Sequence, residues 1–312
     1  MNEKNIDIVQ CLHGLELFFD FQKETELSEH LHEYVSQYYS EDPYPAFKRI
    51  ITFYKNRLTN EEDFQKSLNF AVQAVKKEID IIDLISSLLR VWPNNEFLKS
   101  LHKYGRTADD LSVLIDLFSK SQVQSKIWLV TELANIKKEY DNVVILAGWY
   151  GQLVKYFTNI SFNKIKNIEL DPHACLISDD IINLDRIQNY QVKAVHANIN
   201  ELVLTKKGYE FQIENFKNPE QKRFSERFQP DLIINTSAEH MTEEWFNAIR
   251  FKEIESDPIV VIQSNNLFEI DDHVNCVYSI DHMKKKYPMR EILYEGELQL
   301  QGYKRIMLIG RP

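Results

Sequence analysis

Three short stretches carry residue types that do chemistry. In VVILAGWYGQL an apolar run ends in Ala147-Gly148-Trp149-Tyr150-Gly151, and a helical pattern starts near Gln152. Two glycines three apart let a ligand approach a backbone turn, and a following helix start offers free N–H groups. The full G-x-G-x-x-G fingerprint is absent, which favours an adenosine or amino-acid carboxylate over a pyrophosphate. The same residues also suit a plain strand–helix turn with Trp149 and Tyr150 in the core. In NIELDPHACL, Glu169 ends a second apolar run roughly 20 residues past the glycines, where an acid accepts hydrogen bonds from ribose hydroxyls. A carboxylate in an apolar run needs a partner, whereas Asp171 before Pro172 reads as a helix N-cap. In DLIINTSAEHM a third run ends in Asn235-Thr236-Ser237, followed by Glu239-His240-Met241. An acid and a histidine there could orient a substrate or take its proton. Helix capping by Ser237 or Thr242 and a structural role for His240 are the bland alternatives.

The elements that must position these groups follow from periodicity. From Asn5 to about Tyr140 apolar residues recur every three or four positions, as in Ile8, Leu12, Leu15 and Phe19. This half is expected to form about seven helices, with Gly105 closing one just before Thr107, an N-cap candidate. From Asn142 short apolar runs replace that period. Strands are expected at Val143–Ala147, Ile165–Leu170, Val192–Ala197, Asp231–Asn235 and Ile259–Ser264, nearly continuous in apolar residues as buried parallel strands are. Helices are expected between them at Gln152–Thr158, Ala174–Leu184 and Glu243–Phe251. Glu291–Gln299 and Lys304–Ile309, joined by a short turn, must pair antiparallel. The fold class is therefore α/β: a doubly wound seven-stranded sheet of five parallel strands and a C-terminal antiparallel hairpin, preceded by an all-α domain. The expected boundary puts 1–124 in the helical domain and 125–312 in the sheet domain. Residues 206–229 break the rhythm and are read as an insertion with a helix and a flap. The three chemical signals all fall at carboxyl ends of strands, where open α/β sheets bind ligands.

These features together resemble the class I S-adenosylmethionine-dependent methyltransferases over residues 125–312. The resemblance implies that Ala147, Gly148, Trp149, Tyr150 and Gly151 meet the methionine part of S-adenosylmethionine. Trp149 and Tyr150 stand where that family has small residues. Glu169 would contact the ribose, Asn198 the adenine, and Asn235, Thr236 and Ser237 would lie beside the sulfonium. The Glu239-His240 pair is similar to a form found in small-molecule methyltransferases. The implied reaction is methyl transfer to an amine or oxygen of a small molecule, with Ser237, Glu239 and His240 as catalytic candidates. The helical half is similar in layout to nicotianamine synthase-type enzymes. That layout suggests the alternative of aminocarboxypropyl transfer or cyclisation, releasing methylthioadenosine.

Composition narrows the field. The chain has 312 residues but only 8 glycines, against about 22 at the usual ~7%. Glycine-punctuated sandwiches and propellers are thereby disfavoured. The net charge of −10 opposes bulk capture of nucleic acid. A basic cluster, Met283-Lys284-Lys285-Lys286-Tyr287 with Arg290, and Lys222, Arg223 and Arg227 in the insertion, leave an RNA partner as the second alternative, though charge runs are usually solvated faces. Cys11, Cys175 and Cys276 form neither a disulfide framework nor a zinc spacing. His30 with His32, and Asp271-Asp272-His273, do not make a metal motif, so no metal is expected. The N-terminus lacks a signal-peptide pattern and no run is long enough to span a bilayer. A cytoplasmic location is expected.

Overall fold

The computed structural model describes residues 3–39, 44–75, 81–107, 112–186, 191–201, 203–205, 208–212, 223–226, 228–249, 251 and 254–312. The chain divides into two compact units, Met1–Ile127 and Trp128–Pro312. Among the described residues no helix is long and apolar enough to cross a membrane.

The first unit holds α1 (Glu3–Phe21), α2 (Thr25–Tyr39), α3 (Tyr44–Arg57), α4 (Glu61–Val75), α5 (Ile81–Val91), α6 (Glu96–Thr107), α7 (Ser112–Leu117) and the start of α8 (Lys120–Ile136). Asn60 caps α4 by accepting from the backbone N–H groups of Glu62 and Asp63, and Asn95 caps α6 through Leu98. Leu12, Leu15, Phe18 and Phe19 form the buried stripe of α1, and Phe18 packs on Phe97 and Phe118 with ring centroids 4.8 and 5.8 Å apart. Gly14 lies in that contact, where a Cβ would enter the Phe118 carbonyl. One polar chain crosses this core: His30 Nε2 meets the Tyr54 hydroxyl at 3.2 Å, which meets Ser87 Oγ at 2.7 Å. Gly105 does not close a helix as expected, because α6 runs through it to Thr107. The next residues lie outside the described set.

The second unit is built on β1 (Glu139–Leu146), β2 (Ser161–Glu169), β3 (Val192–His196), β4 (Val203–Thr205), β5 (Gly208–Gln212), β6 (Arg223–Glu226), β7 (Leu232–Asn235), β8 (Ile259–Asn265), β9 (Glu291–Gln299) and β10 (Lys304–Arg311). The main sheet has seven strands in the order β3-β2-β1-β7-β8-β10-β9. The first five pair parallel, while β10 runs antiparallel to both β8 and β9. Val143–Leu146 and Leu232–Asn235 are fully buried, as central strands covered on both faces must be. α9 (Pro172–Arg186), α10 (Glu244–Ala248) and α11 (Ile280–Lys286) flank the sheet, and α9 starts at an Asp171 side-chain cap on the His173 N–H, 2.8 Å. Trp245, Met283 and Tyr287 fill the core over one face.

One expectation fails here, and another is tested only in part. The helix foreseen over Gln152–Thr158 is a single 3-10 turn, Gln152–Tyr156. Only four residues separate it from β2, too few to let a full helix turn back. The insertion contributes two strands: β5 and β6 join β4, just ahead of it, in a separate three-stranded antiparallel sheet. The helix placed in that insertion, with Lys222 and Arg227, lies outside the described residues.

Candidate active site at the carboxyl edge of the sheet

Strand order reverses between β1 and β7, the place where open α/β sheets open a crevice. Leu146 pairs with Ile168 on one side and with Asn235 on the other. Residues 147–151, Glu169 and 236–240 therefore leave the sheet at one level.

The turn after β1 is tightly wound. Ala147 and Trp149 both have φ of 49° and Gly151 has φ of 70°. Left-handed backbone at a side-chain-bearing residue costs about 1–2 kcal/mol, so neighbours must hold it. Trp149 N donates to Glu169 Oε2 at 2.8 Å, and Trp149 O accepts from Asn167 Nδ2 at 3.1 Å. Gly151 N closes the turn on Gly148 O at 2.9 Å. The small residue at 148 is dictated by packing: a Cβ there would overlap the Asn167 amide. Asn167 itself is fully buried, and its Oδ1 has no hydrogen-bond partner among the described residues. Tyr150 is buried and stacks obliquely on Trp149, centroids 4.5 Å apart.

Glu169 is half-buried and ties two turns together. Besides Trp149 N, it accepts from Leu170 N at 2.7 Å and Asp171 N at 3.0 Å through Oε1. Two carboxylate oxygens offer about four lone-pair sites, so one remains for a hydroxyl donor. Asn198, half-buried after β3, accepts from Asn200 N at 3.0 Å.

The loop after β7 is the most heavily braced part of the edge. Asn235 is buried and accepts from Ser237 N at 2.9 Å, while Ser237 Oγ reaches Ala147 O at 3.4 Å and links this loop to the glycine turn. Glu239 is only 3% exposed. Its Oε1 accepts from Arg305 Nη1 at 2.5 Å and from Asn265 Nδ2 at 2.9 Å. Arg305, itself buried, also donates to Thr236 O. An acid held by two donors in the interior braces the ends of β7, β8 and β10. His240 stands outside it: its side chain is 41% exposed and its Nδ1 lies 3.3 Å from Asp272 Oδ2. His273 packs edge-on against His240, centroids 4.6 Å apart. The structure thus brings the turn, Glu169, Asn235, Thr236 and Ser237 together. It adds Asn167, Arg305, Asn265 and His273, none of which belongs to the expected set. Asn167 and Asn265 signal themselves only as amides inside apolar runs. Three cations of the basic cluster are paired locally: Lys284 with Glu295 at 3.0 Å, Lys286 with Glu243 at 2.9 Å and Arg290 with Asp257 at 2.5 Å. A surface groove lined by Lys138, Phe157 and Ser161 lies at the amino ends of β1 and β2, opposite to this edge.

The strand order, with its antiparallel terminal pair, defines the Rossmann-like fold of the class I methyltransferases. No family model matches the chain, and no curated protein does. Among solved structures it is similar to the N-methyltransferase NodS from Bradyrhizobium japonicum WM9 in complex with S-adenosylhomocysteine, at 10% identity over 70% of this chain and 99% of that one, TM-score 0.46. It is similar also to the magnesium protoporphyrin IX methyltransferase ChlM from Synechocystis PCC 6803 with bound S-adenosylhomocysteine, at 9% identity over 72% and 98%, TM-score 0.44. A third is an S-adenosylmethionine-dependent methyltransferase from Clostridium acetobutylicum ATCC 824, at 12% identity over 70% and 99%, TM-score 0.42.

Proposed function

We propose that the chain is an S-adenosylmethionine-dependent transferase that methylates an amine or oxygen of a small acceptor. The observation that carries this reading is the meeting of a wound glycine turn, an acid and a small-polar loop at the strand-order switch point. The donor set fits the cofactor at its adenosine end. Glu169 keeps a lone pair for the ribose hydroxyls, and Asn198, after β3, is assigned to the adenine side. At the methionine end the amides of Trp149 and Gly151 are already used inside the turn, so Ala147, Gly148 and Tyr150 are assigned to border the carboxypropyl chain.

When bound, the cofactor would supply a sulfonium methyl group to the acceptor atom, leaving S-adenosylhomocysteine, the methylated acceptor and the acceptor's released proton. The chain's own share is to position the acceptor and keep water away. Asn235, Thr236 and Ser237 would line the crevice on the side where the methyl group is transferred. Ser237 and His240 offer polar groups to the acceptor. Glu239 acts through position, with its Oε1 held by Arg305 and Asn265. Incubation with S-adenosylmethionine and candidate amines or hydroxylated acceptors, followed by mass spectrometry, tests this. Accumulation of S-adenosylhomocysteine with an acceptor gaining one methyl is the expected result. Methylthioadenosine as the main product would overturn methyl transfer in favour of aminocarboxypropyl chemistry.

A further inference from the structure

Beside the proposed cofactor crevice, one potential ligand atom from each of Glu239, His240 and His273 lies within 4.8 Å of the others. We infer that these three residues form a binding site for one divalent transition-metal cation, of the zinc or cobalt kind.

Glu239 is the innermost of the three ligands. The residue is 3% exposed, its Oε1 is taken by Arg305 and Asn265, and its Oε2 is buried without a hydrogen-bond partner among the described residues. An unmatched carboxylate oxygen in the interior is costly, and a bound cation removes that cost. The two histidines supply independent support. Metal-binding histidines characteristically hand their second ring nitrogen to a carboxylate or a carbonyl, which fixes the tautomer and leaves the first nitrogen's lone pair outward. Both rings here do so: His240 Nδ1 is 3.3 Å from Asp272 Oδ2, and His273 Nδ1 is 3.1 Å from Leu267 O. Nε2 is then the free ligand nitrogen of each ring. The carboxylate is oriented in the same way by its two donors on Oε1. Each of the three groups thus comes with a partner that aims it.

Two imidazoles and one carboxylate suit zinc, cobalt or iron(II) better than magnesium or calcium, which prefer all-oxygen shells. Three protein ligands leave coordination positions open, the pattern of a working site rather than a structural one. The cluster begins two residues beyond Ser237, which touches the glycine turn. An acceptor hydroxyl filling an open position would lose its proton to solvent more readily and present its oxygen to the reacting methyl. That role rests on the transferase reading, whereas the metal site does not. If the site is loaded, His240 is a ligand and not a base.

The test uses the full chain stripped of metal by chelation and dialysis, with no S-adenosylmethionine present. Cobalt(II) is titrated while its visible d–d absorption is recorded, and zinc is then added to displace it. One cobalt per chain is expected, with discharge of the spectrum by zinc. His240→Ala and His273→Ala should each weaken binding at least tenfold, and His173→Ala, at an exposed position of α9, should not. Circular dichroism confirms that each variant is folded; His240, half-exposed, is tolerant of truncation. Absence of a d–d spectrum at millimolar cobalt, or equal affinity in wild type and both cluster variants, overturns the site. Calorimetry with S-adenosylhomocysteine on the metal-loaded chain fails separately if the transferase reading is wrong.

Discussion

The buried pair of Glu239 and Arg305 allows the most demanding prediction about the proposed site. Both side chains are nearly inaccessible, at 4% and 7%, and their charges meet at 2.5 Å. Arg305→Met keeps the volume but leaves the carboxylate buried with Asn265 as its one remaining donor. Glu239→Gln leaves a buried guanidinium with Thr236 O as its principal acceptor. Breaking a buried pair from one side costs roughly 3–5 kcal/mol, because the surviving charge stays desolvated. Removing both charges restores part of that, so the double variant should be more stable than the sum of the single losses by about 1–3 kcal/mol. Urea denaturation followed by tryptophan fluorescence measures this. Trp92, in the helical unit, is first replaced by Phe so that Trp128, Trp149 and Trp245 report the sheet unit alone. Single losses below about 1 kcal/mol, or strict additivity in the double variant, would refute the bracing argument.

Other outcomes follow from particular contacts. Gly148→Ala should destabilise the sheet unit by about 1–3 kcal/mol through overpacking, and less in an Asn167→Ala background, where the obstructing amide is gone; denaturation midpoints decide. Glu169→Ala should weaken S-adenosylhomocysteine binding at least tenfold, a loss of about 1.4 kcal/mol or more, while Glu169→Gln should lose less; calorimetry of the three proteins distinguishes them. Burial pushes the His30 imidazole from 6.5 down to about 3. The unfolded chain then binds the extra proton between those values, so stability is full above pH 6.5 and falls with decreasing pH. The slope is about 1.4 kcal/mol per unit, or roughly 2 kcal/mol by pH 5. Denaturation of wild type against His30→Gln from pH 7 to 5 should show that slope in the wild type alone.

The parallel strands were readable because Val143–Leu146, Leu232–Ile234 and Ile259–Ile262 are buried on both faces and hence continuously apolar. The hairpin of β9 and β10 was readable from its short turn. Contacts between distant segments left no such trace. Glu239 and Arg305 are 66 residues apart, and neither type announces its partner. The insertion strands β5 and β6 pair across a long gap, so their aromatic residues gave no usable period. The turn after β1 was located correctly, but its short 3-10 continuation depends on how soon β2 must begin. His273, in a polar loop between β8 and α11, acquires its proposed role only from lying against His240.

Calorimetric titration of the full chain with S-adenosylhomocysteine addresses the central claim most directly. Saturable binding at micromolar concentration with one site per chain, weakened by Glu169→Ala, is the expected result. No heat and no binding at millimolar concentration would contradict it.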